Sequence, residues 1–315
     1  MPGGGSSIFT DADGYQTSLQ DILDLVVLRP REFHASLTWI ELSAIHLLRG
    51  SESSARVAYL RLPPERVHCI FPTDTATVLI CRGIEVRFGE LVVHRLGAHL
   101  HQWTTAAAQW GSISLTPRAL MELGWTVAGR DVGAPESDLV LRLPAGKRQQ
   151  LLRLHVQAAR IAETSPARIR HQEIIRALEQ DLALALITCL TEAGMRDTQP
   201  DRRHEAEVCG RLEKLLEERP QRVLRSHEIA RSIGVSDRTL RTSCVNQLGM
   251  TVSRYQRLRR LKLVRGELVR GGQPAMDAVQ LTRSYGFTGV QQFVAEYWDA
   301  YGEMPPIPPR QAAVC

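Results

Sequence analysis

Two short stretches of this chain carry side chains suited to gripping a polyanion. In "GVSDRTLRTSCVNQLGM", Gly234 to Met250, Leu240 and Cys244 are four residues apart and share one side of a helix. That arrangement leaves Arg238, Arg241, Thr242 and Val245 on the other side. An arginine fork donates bidentately to guanine O6 and N7, and threonine bonds either a base or a phosphate. In "YGFTGVQQFVAEYWDAYGEMPP" the inward pair is Phe293 and Tyr297, and the outward residues are Val290, Gln291 and Gln292. A glutamine amide matches the N6/N7 edge of adenine. Arg238, Arg241, Thr242, Gln291 and Gln292 are therefore the candidate base readers. Between the two stretches, Val252 to Arg270 holds seven basic residues and one acid, Glu267. Arg254, Arg257, Arg259, Arg260 and Lys262 are its candidate phosphate contacts.

The elements around these residues follow a repeated grammar. Ser226 is placed to cap a helix that buries Ile229, Ala230 and Ile233, and Gly234 supplies the left-handed residue that ends it. Ser236 then caps the next helix, Asp237 complements its dipole, and Val235 and Leu240 have the spacing of a hydrophobic staple. Helix, tight turn, helix is the result. Downstream, Ala278, Leu281, Thr282 and Tyr285 precede Gly286-Phe287, which repeats Gly234-Val235. The connecting helix, with Tyr255, Leu258, Leu261, Val264 and Leu268 as its buried stripe, would be ~28 Å long for nineteen residues. Successive major-groove faces of B-DNA lie ~34 Å apart, so one chain could present two reading helices to one side of a duplex.

Charge distribution points the same way. Of 315 residues, 39 are Lys or Arg and 34 Asp or Glu, a formal charge of +5. Residues 1 to 204 are balanced at 22 of each, so the excess lies in the C-terminal third, at 17 against 12. Double-stranded DNA is the expected partner of that third. The six cysteines are scattered, without a CxxC pair, which fits a reducing, cytoplasmic setting and gives no zinc framework. The longest apolar run, Leu182 to Leu190, falls well short of the ~20 residues that span a bilayer, so no membrane role is expected.

Residues 1–18 read as a flexible tail. From about Val57 to Leu115, short alternating runs such as Ile84, Val86 and Phe88 are broken by turn residues, the pattern of a small antiparallel sandwich or barrel. After Pro144 the period becomes helical. Leu151, His155, Ala158 and Ala162 line one helix, and Ile175, Leu178, Leu182, Leu186 and Cys189 a second, with Thr164-Ser165-Pro166 between them. Such helices can pack on the sandwich or on a second copy. Polar residues 194–205 read as an interdomain linker, giving a regulatory domain over 19–193 and a DNA-binding domain over 206–315.

On "IARSIGVSDRTLR", "LGM…RY…RLRRLKL" and "YGF…QQF…Y…YGEMPP", spanning Ile229 to Pro306, the chain resembles the AraC/XylS family of bacterial transcription regulators. The resemblance implies an α+β protein. Its N-terminal domain would be a cupin-like β-barrel or sandwich with flanking helices, and its C-terminal domain all-α, with two helix-turn-helix units joined by a linker helix. It further implies a homodimer, a small-molecule effector bound by the N-terminal domain, and contact with RNA polymerase if the protein activates. Cys244 stands where the family prefers Phe, Val252 where it often has Pro, and Thr282 and Arg283 where small and apolar residues are usual, a looser second unit.

Other chemistries find less support. His99 and His101 share a strand face as in the HxH motif of metal-binding cupins, but "TTAAA" follows where an acidic ligand is needed. No metal or other cofactor is expected, and His99, His101 and Trp103 become candidate lining of an effector pocket. Cys69 beside His68 points to the opposite strand face, which disfavours nucleophilic catalysis. No GxSxG, P-loop or GxGxxG motif occurs in a usable context, so the chain does not read as an enzyme. A metal-dependent cupin enzyme with a DNA-binding tail, and a ligand-independent regulator controlled by a partner protein, are the alternatives.

Overall fold

The computed structural model describes residues 2–196, 202–270 and 278–306. Part of the expected linker, the side chains of Arg270 and Ala278, and residues 307–315 of the expected C-terminal domain lie outside them. The chain forms two compact units, Met1–Leu25 with Phe33–Pro200, and Val26–Glu32 with Asp201–Cys315.

The first unit is an antiparallel β sandwich. One sheet has the order β1-β3-β4-β11-β6-β9-β12-β13, formed by Gly3–Phe9, Ala35–Glu41, Ile45–Glu52, Ala108–Leu115, Val67–Pro72, Glu90–His94, Leu139–Arg142 and Gly194–Met195. The other has the order β2-β5-β10-β7-β8, formed by Ile22–Val27, Arg56–Arg61, His99–Trp103, Val78–Cys81 and Ile84–Arg87. Strands therefore begin long before Val57. The expected tail is instead β1, paired with β3 from Gly3↔Glu41 to Phe9↔Ala35, followed by helix α1, Ala12–Ser18. Ladder hydrogen bonds to β3 and the burial of Tyr15, which donates to Glu52 Oε1 at 2.9 Å, hold this polar stretch in place.

Pleating divides the central strands between two environments. On β11, Ile113 and Leu115 join a core with Ile45, Leu47, Val67, Cys69 and Phe71. The same core takes in Leu151, Ala158 and Ala162 of α3, Ala145–Thr164, and Ile175, Leu182 and Leu186 of α4, Gln172–Glu192. The two apolar helices thus cover the outer face of the eight-stranded sheet. Gly111 allows the close approach of α3, since a Cβ there would lie 2.7 Å from Phe71 Cε2 and 2.8 Å from His155 Nε2. The alternate residues Trp110, Ser112 and Ser114 line an intersheet cavity instead. A further helix, α2, runs over Pro117–Ala128.

The second unit is helical: α5 Arg202–Glu218, α6 Ser226–Ile233, α7 Asp237–Leu248, α8 Val252–Arg270, α9 Ala278–Ser284 and α10 Val290–Tyr301. The expected linker is shortened at both ends, because Gly194 and Met195 pair with β12 and α5 already begins at Arg202. Val208, Cys209 and Leu212 of α5 are buried, as are Ile229, Ala230 and Ile233 of α6 and Leu240, Cys244 and Leu248 of α7. A second core unites Leu261 and Val264 of α8 with Leu281, Tyr285, Phe287, Phe293 and Tyr297.

Candidate nucleic-acid interface and intersheet cavity

Two turns of the same construction set α7 and α10. Gly234 has φ 71°, and the Val235 amide reaches back to the Ala230 carbonyl at 2.9 Å. Gly286 also has φ 71°, with the Phe287 amide on the Thr282 carbonyl at 3.0 Å. A left-handed residue is needed at both places, and glycine takes it without a Cβ penalty. Ser236 caps α7 as expected, its hydroxyl accepting from the Thr239 amide at 3.0 Å. Ser226 does not cap α6. The helix starts one residue earlier, with Arg225 at the cap and its amide donating to Glu228 Oε2 at 2.7 Å, so Ser226 is already helical.

On α7 the apolar side goes inward and Arg238, Arg241, Thr242 and Val245 are exposed together. Cys244 is buried and hydrogen-bonds the Cys209 thiol, which that bond and burial push well up. A small thiol on α5 thus occupies part of the room a larger residue at 244 would fill. On α10, Gln291 and Gln292 are exposed while Phe293 and Tyr297 are buried. The five candidate readers consequently all face outward from their helices.

The basic residues of α8 separate into different roles. Arg254 is exposed and Lys262 half-buried. Arg259, expected as a phosphate contact, points into the core, where its Nη1 bonds Glu213 Oε2 at 2.8 Å; Glu213 also accepts from Tyr255 Oη. Arg260, likewise expected at phosphate, donates to the Tyr285 carbonyl at 2.8 Å and lies over the Phe287 ring, 5.6 Å from its centroid. It clamps the second turn to α8. Arg257 remains exposed but is paired with Glu296 of α10 at 2.9 Å. These three arginines are accounted for by intramolecular partners that a helical wheel cannot display. Sequence reasoning missed Glu213 and Glu296, whose acids sit on elements distant in sequence from α8.

A helix-turn-helix domain family matches residues 229–306, which take in both turns together with α7 and α10. Residues 229–306 thus carry a helix-turn-helix domain of that family. The chain is 31% identical over 90 residues to the "Probable thc operon regulatory protein" of Rhodococcus erythropolis. That similarity covers 29% of this chain and 27% of the relative, so the chain matches about a quarter of the length of that protein. Among solved structures, the chain is similar to the AraC-like transcriptional activator CuxR, with TM-score 0.44 and 14% identity over 84% of this chain and 96% of the other. It is also similar to an AraC-type regulator from Chromobacterium violaceum, at TM-score 0.29 and 25% identity over 34% and 90% of the two chains.

In the sandwich, a cavity of about 450 Å³ lies between the sheets. Leu37, Leu60, Ile70 and Trp110 are among its apolar walls, and Asp21, His46, Arg66, His68 and Gln102 bring polar groups to it. His99, His101 and Trp103 do not line it. On β10 the inward residues are Leu100 and Gln102, so the odd-numbered side chains face the opposite way, and His101 stacks on Tyr59 with ring centroids 4.8 Å apart. Burial pushes the Asp21 carboxyl up to about 6, against the pull of Arg66. Burial also pushes His68 down to about 3, with His94 and Arg66 adding to it, and among the described residues His68 Nε2 has no hydrogen-bond partner. Among the described residues, no three His, Cys, Asp or Glu side chains converge as a metal site. The Cys69 thiol is pushed up to about 12 by burial, a poor nucleophile at neutral pH. No helix among the described residues is long and apolar enough to cross a membrane.

Proposed function

We propose that the protein is a sequence-specific, DNA-binding transcription regulator that docks α7 and α10 in successive major grooves. The observation that carries this reading is the repeated turn at Gly234 and Gly286, each followed by a helix whose polar side is exposed. Base contacts fall to Arg238, Arg241, Thr242, Gln291 and Gln292, and phosphate contacts to Arg254, Lys262 and the N-termini of the helices. Selection of duplexes from a random pool by the full chain, at two salt concentrations, tests it. Enrichment of a site with two contacted segments about one helical turn apart, and binding that weakens steeply with salt, is the expected result. Recovery of unenriched sequence would sink it.

The intersheet cavity supports a second part of the proposal, an effector with an apolar body and a polar head. Its apolar walls surround a few convergent polar groups, among them the unpartnered His68 Nε2, which is the usual make-up of a small-molecule site. A compound that raises the melting temperature of the full chain but not of Ser112→Phe, whose ring fills the cavity, is the expected finding. A homodimer formed through α3 and α4, whose Val156 and Leu184 are exposed, completes the proposal, and equilibrium sedimentation of the full chain as a monomer would remove that part. If the protein activates, RNA polymerase is a further partner.

A further inference from the structure

Gln292 differs from its neighbour Gln291 in one respect: its amide is gripped at both ends. Nε2 donates to Glu296 Oε1 at 2.9 Å, one turn ahead, and Oε1 accepts from Thr288 Oγ1, one turn behind. Glu296 is itself held, since its Oε2 takes Arg257 Nε at 2.9 Å, and its side chain retains only 10% exposure. Gln291 makes no such contact among the described residues.

The chemistry of the two grips is unequal. A threonine hydroxyl either donates or accepts, so Thr288 tolerates both orientations of the amide. A carboxylate only accepts. Turning the Gln292 amide over would set its oxygen against Glu296 Oε1, acceptor against acceptor, and forfeit the bond. Glu296 therefore decides which amide atom points along the helix toward its C-terminal end. One N–H and one oxygen lone pair of Gln292 stay available, and an adenine edge asks for those two, at N7 and N6.

We propose that Glu296, braced by Arg257 of α8, is a positioning residue that fixes the orientation of the Gln292 amide and so sets the base preference of α10 at one base pair. The inference rests on the reading that α10 meets DNA. A free glutamine carries several rotamers and both amide orientations to the encounter, whereas this one arrives with its donor and acceptor already placed.

Competition titrations of the full chain against its selected duplex, permuted at each base pair in turn, test the proposal. Wild type should favour one base at a single pair under α10 by ~10-fold, the ordinary yield of a good bidentate contact. Gln292→Ala should erase that preference. Glu296→Gln keeps the size of the side chain but can donate as well as accept, so it should reduce the preference at that same pair to about threefold or less while other pairs change by less than twofold. The double variant should lose no more than Gln292→Ala alone. Arg257→Gln, which removes the brace but keeps the carboxylate, should retain most of the preference. Full wild-type discrimination in Glu296→Gln overturns the inference and leaves DNA reading by α10 standing, as does a uniform loss across all duplexes with a lowered melting temperature. A wild type indifferent to every base pair under α10 overturns both.

Discussion

Arg259 of α8 and Glu213 of α5 form an ion pair at 2.8 Å with 12% and 1% of their side chains exposed, so the most basic helix of the chain spends one of its charges inside the protein. Removing one partner of a buried pair leaves the other charge unsolvated, which costs about 3–5 kcal/mol. Arg259→Ala should therefore lower unfolding free energy by that order in urea titrations. Arg254→Ala, at an exposed site on the same helix, should leave stability within about 0.5 kcal/mol and instead reduce the salt dependence of DNA binding by about one counterion. If both variants behaved alike in the two assays, the division of roles on α8 would be wrong.

Arg241 stands exposed on α7 beside Thr242, with no ion pair among the described residues. Replacing it with alanine should cost ~1–3 kcal/mol on the preferred duplex and relax the choice at one base pair. Gel-shift titrations that gave equal losses on specific and scrambled DNA would make Arg241 a phosphate contact.

Three buried histidines should shape stability against pH from both sides. Burial works against charge on His94, but Asp138, 3.3 Å away, outweighs it and raises His94 to about 9. Its contribution is fully present below the unfolded value near 6.5 and is lost as pH rises to about 9, a change of about 3 kcal/mol. Burial lowers His68 to about 3 and His155 to about 4, so both are neutral in the fold. The stability they favour is present above pH ~6.5 and declines in acid, as the unfolded chain takes up protons first. Melting temperature should accordingly peak near neutrality, and His94→Gln should flatten the alkaline side alone.

The two turn glycines should respond differently to alanine. Both have φ 71°, where a Cβ costs roughly 1–2 kcal/mol. At Gly234 the nearest atom to an added Cβ is Arg211 Nη1 at 4.0 Å, so that backbone cost is the whole effect. At Gly286 the Cβ would collide with Val223 Cγ2 and fall 3.0 Å from Arg260 Nη1. Gly286→Ala should lower the melting temperature several degrees further than Gly234→Ala, and equal shifts would contradict the tight seat of the second turn.

Much of the C-terminal unit was legible because its signals are local. Ser236, Gly234, Gly286 and the spacing of Leu240 with Cys244 each act within a turn or two of chain, where backbone geometry and capping depend on residue type alone. The exposure of Arg238, Arg241, Thr242, Gln291 and Gln292 follows from the same periodicity. So does the placement of the two apolar helices near 145–193. What periodicity leaves open is the identity of the facing partner. A wheel of α8 shows seven basic residues, but only the fold brings Glu213, Glu296 and the Tyr285 carbonyl to Arg259, Arg257 and Arg260. On β10, alternation alone puts His99, His101 and Trp103 on one face and Leu100 and Gln102 on the other; the choice of inner face belongs to the stacking of two sheets. The polar start of the chain likewise carries no strand signal of its own, and becomes β1 because β3 offers an unpaired edge. Sequence by itself determined the helices and turns that present the candidate reading surface. Tertiary structure alone decided which charges are spent within the protein, because pairing across distant elements depends on their packing and not on their spacing along the chain.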